Sequence, residues 1–250
     1  MTGERITMSR LLLISNSTVH GRGYLDHVEA EIKDFVGNRT RVVFVPYALH
    51  DRRACCAQAE SRLRKMGLEF TSIHEISNAS REIEDSEIIF VGGGNTFRLL
   101  HELQKNYLIE PIRHAVRSGT LYVGSSAGSI LACPSLKTTK DMPVVQPLSF
   151  EALGLVPFQI SPHYLDPDPQ STHMGETQEQ RILQFLEENK EVVVGLREGS
   201  CLRVEDEGVV LKGPHSARIF RCGAPPVEIS PGANMNDLVV QQVSSAGLVS

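Results

Sequence analysis

The sequence contains no tryptophan, no Cys-x-x-Cys pair, no low-complexity segment and no dense run of lysine and arginine. Its five cysteines are an odd number, which argues against a disulfide framework or a structural zinc site and favours a reducing compartment. The first apolar run, Leu11 to Ile14, is too short for a signal-peptide core or a membrane span. With a net charge of −5, we expect a cytoplasmic protein that binds neither membranes nor nucleic acid.

The remaining composition is that of an ordinary globular protein, with 41% apolar and 22% charged residues among 250. We expect one domain over residues 1–250, with 244–250 as a disordered tail. Short apolar runs alternate with amphipathic segments, which predicts an α/β fold: a mostly parallel open sheet, helices on both faces, and short antiparallel strands near the C-terminus. The predicted strands are 11–15, 41–45, 70–73, 88–91, 121–123, 158–160, 192–196, 208–211 and 218–220, and the main predicted helices are 52–65 and 175–188.

A strand, a G-x-S-x-G turn and a helix start follow one another from Leu121 to Ile130. This is the context of a nucleophile elbow, in which the residues two before and two after the nucleophile must be small. Gly124 and Gly128 satisfy that requirement for Ser126. Ser126 is therefore the predicted nucleophile of a serine hydrolase, and the backbone N–H of Ala127 is the natural oxyanion donor.

A glycine run, Gly92 to Gly94, lies at the end of another predicted strand and precedes Asn95 and Thr96. Ligands of open α/β sheets bind at that edge, and glycines let the backbone approach them closely. Gly93 or Gly94 could supply a second oxyanion donor. A turn followed by an Asn95 or Thr96 helix cap explains the same residues without chemistry.

The general base should be a histidine oriented by a carboxylate. Among nine histidines, His163 follows a predicted strand in Ser-Pro-His-Tyr, at the expected edge of the sheet. Two acidic residues compete for the third position. Glu198 follows the strand at 192–196, whereas Asp141 lies in a loop before a proline.

Six ordered blocks resemble peptidase E, the serine-type aspartyl dipeptidases related to cyanophycinase. The resemblance covers nearly the whole chain and implies the fold of class I glutamine amidotransferases. The matching blocks are GGGNT at Gly92, GSSAG at Gly124, TTKDMP at Thr138, ISPHY at Ile160, GETQEQRI at Gly175 and REGS at Arg197.

The resemblance implies Ser126 as nucleophile, His163 as base, and either Glu198 or Asp141 as the acidic member, with Glu198 favoured because a strand end is the firmer support. The implied substrates are small dipeptides that begin with aspartate, and neither a cofactor nor a metal is implied. We expect a monomer or a weak homodimer.

A cation or several neutral donors should read the aspartyl carboxylate, and the candidates are Arg181, Asn95 and Thr96. Gln178 stands where several relatives are expected to have a basic residue, and Arg181 could take over that role.

Three alternatives come from other functions. An amidotransferase would carry cysteine at position 126, where this chain has serine. A hydrolase of an aspartate-containing polymer, as in cyanophycinase, is not excluded by spacing. A catalytically silent binding module on the same fold would not react with a serine-directed reagent.

Overall fold

A computed structural model describes residues 9–172, 174–205 and 208–236. The expected tail at 244–250 lies outside these residues. The strands are β1 (Leu11–Ile14), β2 (Arg41–Val45), β3 (Glu69–Ser72), β4 (Ile88–Val91), β5 (Leu121–Ser125), β6 (Gln159–Pro162), β7 (Val193–Leu196), β8 (Cys201–Glu205), β9 (Gly208–Lys212), β10 (Ala217–Arg221) and β11 (Ala224–Ile229). The α-helices are α1 (Glu29–Val36), α2 (Arg52–Lys65), α3 (Ala79–Asp85), α4 (Thr96–Lys105), α5 (Ile109–Arg117), α6 (Ala127–Leu131) and α7 (Gln178–Glu188).

The larger sheet has seven strands in the order β3-β2-β4-β5-β1-β8-β9. The first five are parallel, and β8 and β9 continue the sheet in antiparallel fashion. The parallel strands have apolar side chains on both faces because helices cover both sides of the sheet. On β1, Leu12 and Ile14 pack in the core that contains α1 and α2, whereas Leu11 and Leu13 pack in the core under α4 and α5. All four are fully buried.

A second sheet of four strands has the order β11-β10-β7-β6. β6 and β7 are parallel, and β10 and β11 add antiparallel strands. One face contributes Ile160 and Val194 to the core of the larger sheet, while α7 packs Ile182 and Leu186 against the other face. The two sheets therefore share one core, which brings the ends of β6 and β7 towards the end of β1.

The predicted fold class is confirmed, including the antiparallel strands near the C-terminus. Two predicted strands, 41–45 and 88–91, and the helix at 52–65 have the predicted bounds. The helix expected from Gly175 begins only at Gln178, because the Thr177 hydroxyl accepts the N–H of Gln180 and the two residues form a capping box. Strand patterns did not show that β6 and β7 belong to a separate sheet.

Candidate active site

Ser126 lies in a strained turn between β5 and α6, with φ +53° and ψ −107°. A left-handed φ is uncommon for a residue with a side chain, and such strain concentrates at functional positions. The Ser126 N–H is held by the carbonyl of Ile14 at 2.9 Å. The turn thus presents the hydroxyl at the carboxyl edge of the larger sheet.

The two glycines of the turn are required by close backbone contacts. A Cβ on Gly124 would lie 2.5 Å from the carbonyl oxygen of Gly128, and a Cβ on Gly128 would lie 2.3 Å from that of Val91. Any side chain at either position would push α6 away from β4 and β5. The G-x-S-x-G spacing is therefore explained by packing as well as by the turn.

His163 follows β6 directly and is also left-handed, with φ +51°. Its Nε2 lies 2.9 Å from Ser126 Oγ, which is hydrogen-bond distance. The imidazole comes from the second sheet and the hydroxyl from the first. The pair can therefore form only where the two sheets meet.

Glu198 completes the contact chain, with its Oε1 2.7 Å from His163 Nδ1. The parallel pairing of β6 with β7 places Pro162 opposite Leu196, so the residues after both strands emerge side by side. With the proton on Nδ1, the imidazole donates to Glu198 and accepts the hydroxyl of Ser126. The side chains of His163 and Glu198 are 36% and 47% exposed, so the site is open to solvent on this side.

Backbone N–H groups of the glycine run and of α6 adjoin Ser126. A Cβ on Gly93 would lie 3.2 Å from the Cβ of Ser126, which places this glycine directly against Ser126. In the described part of the chain, the N–H groups of Gly93, Gly94 and Ala127 have no hydrogen-bond acceptor. Backbone N–H groups are strong donors, and these unpaired ones are suited to an incoming oxygen atom.

Asp141, the other acidic candidate, binds Thr96, and no hydrogen bond joins it to His163 among the described residues. Its Oδ2 accepts the N–H and the hydroxyl of Thr96 at 2.7 and 2.6 Å. Asn95 caps α4 by accepting the N–H of Arg98 at 3.0 Å, and its amide donates to the carbonyl of Met142 at 2.8 Å. The side chains of Asn95 and Thr96 therefore help to hold the loop of Asp141.

The profile of peptidase family S51 matches residues 11–212. The chain belongs to peptidase family S51. It is 51% identical over 229 residues to "Peptidase E" of Streptomyces coelicolor, covering 92% of this chain and 94% of that protein. It is 43% identical over 232 residues to the Drosophila melanogaster protein named "Probable alpha-aspartyl dipeptidase", covering 92% and 97%.

A crystal structure of a peptidase from an acI-B1 Actinobacterium has the same fold, with a TM-score of 0.70 at 15% identity, covering 92% of this S51 peptidase and 98% of that chain. None of the helices in the described ranges is both long and apolar enough to cross a bilayer. Within those ranges, no group of three or more His, Cys, Asp or Glu side chains could hold a metal ion.

A cationic cleft adjoins the backbone of His163 in this S51 peptidase. Lys140 Nζ donates to the carbonyl of His163 at 3.1 Å, and burial lowers the pKa of Lys140 from its usual value. Arg181 also lines the cleft, and its single ion pair among the described residues is long and exposed, 3.6 Å to Glu176. No carboxylate is among the lining residues, which are Lys137, Thr138, Thr139, Lys140, Ser161, Gln178, Arg181, Ile182 and Phe185.

Gln178 supports the histidine loop through its side-chain amide. Its Nε2 donates to the carbonyl of His163 at 3.0 Å, and its Oε1 accepts the N–H of Leu165 at 3.0 Å. A neutral amide can make both bonds at once, whereas a lysine or arginine would supply donors only. Arg181 was among the residues predicted from the sequence. Lys140, which lies inside the TTKDMP block, and Lys137, which precedes it, were not.

The residue before Glu198, the half-buried Arg197, is the centre of an ion-pair network with two exposed carboxylates. The guanidinium of Arg197 binds Asp166 at 2.9 and 2.6 Å and Glu228 at 2.9 and 3.0 Å. It lowers the pKa of both carboxyl groups by hydrogen bonding. Asp166 lies three residues after His163, so Arg197 links the loop that carries the imidazole to the loop that carries Glu198.

His27 is a partly buried imidazole whose two ring nitrogens have no hydrogen-bond partner among the described residues. Burial lowers its pKa from the usual value of 6.5, and Arg22 acts in the same direction. Three neighbours act against this lowering of the pKa: the backbone of Asn16, which lies close to the ring, and the carboxylates of Asp26 and Glu198. The folded protein therefore binds a proton at His27 less readily than the unfolded chain does.

We expect the free energy of unfolding to fall as the pH drops below about 6.5, because the unfolded chain then takes up a proton that folded His27 resists. His27→Phe should weaken this dependence while keeping a ring in place. Urea unfolding at pH 7.5 and 5.5 measures the effect, and His20→Gln, at an exposed histidine, is the control. If the free energy of unfolding depends on pH in His27→Phe as it does in the native protein, His27 is not the source of the dependence.

Proposed function

We propose that this S51 peptidase hydrolyses dipeptides whose first residue is aspartate, through an acyl-enzyme on Ser126. The observation that carries the proposal is the continuous contact chain from Ser126 Oγ through His163 to Glu198, at 2.9 and 2.7 Å. The names of the Streptomyces and Drosophila relatives support the substrate class.

The reaction follows from the positions of the three side chains. His163 Nε2 takes the hydroxyl proton as Ser126 Oγ bonds to the carbonyl carbon, and Glu198 stabilises the imidazolium through Nδ1–H. The imidazolium then gives its proton to the departing amine as the peptide bond breaks. A water molecule then attacks the carbonyl carbon of the acyl-enzyme, with His163 again as base, and aspartate is released from Ser126.

The N–H groups of Gly93 and Ala127 stabilise the oxyanion of each tetrahedral intermediate. They flank Ser126 and have no other acceptor in the described part of the chain. Donors of this kind contribute about 10²- to 10³-fold each to the rate. Because the groups belong to the backbone, their positions are fixed before the substrate binds.

Lys140 and Arg181 bind the side-chain carboxylate of the substrate. The cleft they line adjoins His163, and no carboxylate is among its lining residues in the described part of the chain, so a substrate carboxylate placed there meets both cations. The Arg181–Glu176 pair is exposed and long, and such pairs are worth little, so Arg181 can exchange partners. Arginine also suits two-point recognition of a carboxylate.

A panel of X-Leu dipeptides tests the proposal. We expect kcat/KM for Asp-Leu to exceed that for Asn-Leu by about 10- to 100-fold, since hydrogen bonds to a charged group are worth roughly 1.5–3 kcal/mol. Lys140→Met and Arg181→Met should each raise KM for Asp-Leu and narrow the preference over Asn-Leu. Lys65→Met, at an exposed lysine outside the cleft, is the matched control.

Two results would contradict parts of the proposal. Equal kcat/KM values for Asp-Leu and Asn-Leu would show that the cleft does not bind the carboxylate of the substrate. Rapid hydrolysis of a β-linked aspartate polymer with no hydrolysis of any dipeptide would replace the substrate class, while the roles of Ser126 and His163 would stand.

A further inference from the structure

Three consecutive residues at the end of β1 each hold the backbone of one part of the contact chain. The carbonyl of Ile14 accepts the N–H of Ser126 at 2.9 Å. The next residue, Ser15, uses its hydroxyl to accept the N–H of His163 at 2.9 Å. The third, Asn16, uses its Oδ1 to accept the N–H of Gly199, the neighbour of Glu198, at 2.8 Å.

The bond from Ile14 is made by the main chain and is available to any residue type. The other two bonds depend on side chains, which makes Ser15 and Asn16 specific. Both are almost completely buried, with 0% and 1% exposure. A buried hydroxyl and a buried amide at this position need partners. The end of β7 and the residues that follow β6 and β7 provide three of them, and Thr18 provides the fourth.

The hydroxyl of Ser15 bridges the ends of β6 and β7. It accepts from His163 and donates to the carbonyl of Leu196 at 2.8 Å. Its donor and one acceptor position are therefore both used. Removal of the hydroxyl would leave the N–H of His163 without its partner at a residue that is already held at a left-handed φ of +51°.

Asn16 fixes the turn after Glu198 in a similar way. Its Oδ1 holds Gly199, which has φ +80°, and its Nδ2 donates to the carbonyl of Thr18 at 2.8 Å. The amide is thus tied to its own loop on one side and to the Glu198 loop on the other.

We propose that Ser15 and Asn16 are positioning residues of the active site, with Ser15 setting the place of the His163 imidazole and Asn16 that of the Glu198 carboxylate. The inference rests on the proposed roles of Ser126, His163 and Glu198. Since β1 also holds Ser126, one strand end determines the relative positions of three groups that come from two sheets. A displacement of about 1 Å at such a site can lower the rate about 10²-fold.

The first experiment compares Ser15→Ala with Ser15→Thr, which keeps a hydroxyl. Ser15→Ala should lower kcat on Asp-Leu by about 10- to 100-fold at nearly unchanged KM, and Ser15→Thr should recover part of that loss. The matched control is Ser72→Ala, at a buried serine of β3 whose hydroxyl bonds to His74 and Cys56. Rates are compared below the melting temperature of every variant.

The second experiment is a double-mutant cycle with Asn16→Ala and Glu198→Gln. If Asn16 acts through Glu198, Asn16→Ala lowers kcat in the native background but adds little to Glu198→Gln. This cycle also decides the matter if Ser15→Ala does not fold. Full additivity in the cycle, or equal losses of kcat in Ser15→Ala and Ser72→Ala, would overturn the proposal.

A substrate-free readout separates this proposal from the proposed function. The imidazole proton shared by His163 Nδ1 and Glu198 should give a downfield proton NMR signal that is shifted or lost in Ser15→Ala and Asn16→Ala and kept in Ser72→Ala. An undisturbed signal in all three variants would contradict the positioning role. If the native protein cleaves no Asp-X dipeptide, the proposed substrate fails, and the NMR comparison still tests Ser15 and Asn16.

Discussion

Ser126→Ala should lower kcat/KM for an Asp-X dipeptide by about 10⁵- to 10⁶-fold and leave the fold intact. Alanine keeps the Cβ that packs beside Gly93 and removes only Oγ, whose hydrogen bond is to His163 Nε2. Without Oγ there is no acyl-enzyme, and only the oxyanion donors and substrate binding remain to accelerate hydrolysis by water. Initial rates measure the remaining hydrolysis. Mass spectrometry after treatment with a serine-directed phosphonylating reagent shows whether Ser126→Ala has lost the covalent adduct.

The neighbouring serine is the control for this substitution. Ser125 is completely buried, and its hydroxyl has no hydrogen-bond partner among the described residues. Ser125→Ala should therefore keep activity within a few-fold, and removing an unpaired buried polar group should leave stability equal or higher. A Ser126→Ala protein with native rates, or a Ser125→Ala protein as inactive as Ser126→Ala, would refute the assignment of the nucleophile.

Glu198→Gln should lower kcat by about 10²-fold with little change in KM. A triad carboxylate that is fully buried contributes about 10⁴-fold by fixing the histidine tautomer and stabilising the imidazolium. The smaller effect expected here follows from the 47% exposure of the Glu198 side chain, because solvent screens its charge and can partly replace it. The pH profile of kcat should change as well, since the charge beside His163 is lost.

Asp141→Ala is the companion variant, because the sequence offered both residues as the acidic member. Its carboxylate anchors the loop of Lys140 to Thr96, at the start of α4. Loss of this anchor should raise KM and lower the melting temperature, while the pH profile of kcat keeps its native shape. If Asp141→Ala alters that profile and Glu198→Gln does not, the two roles must be exchanged.

Ser126 could be proposed as nucleophile from the sequence because every feature of its turn is local. A buried strand, two glycines four residues apart and a short helix lie within eleven residues. The close contacts of Gly124 with Gly128, and of Gly128 with Val91, are the physical cause of that pattern. His163 could be proposed from the sequence for a related reason, since it directly follows a short apolar strand.

The acidic member was undecided in the sequence because strand pairing determines which carboxylate meets the imidazole. Glu198 reaches His163 only because β6 and β7 are parallel neighbours. Asn95 and Thr96 illustrate the opposite case. Their sequence context allowed either a binding role or a structural one, and the structure adds contacts with Arg98, Met142 and Asp141 that the sequence did not predict.

The sequence by itself determined the fold class, the family resemblance and the turn that exposes Ser126, because hydrophobic period and close backbone packing leave local patterns. The tertiary structure alone decided which carboxylate adjoins His163 and which cations share a cleft. It also brought Ser15 to His163, 148 residues further along the chain, and Asn16 to Gly199, 183 residues further along. These contacts join residues that are distant in the chain and use ordinary polar side chains. Only the packing of two sheets on one core brings them within hydrogen-bond distance.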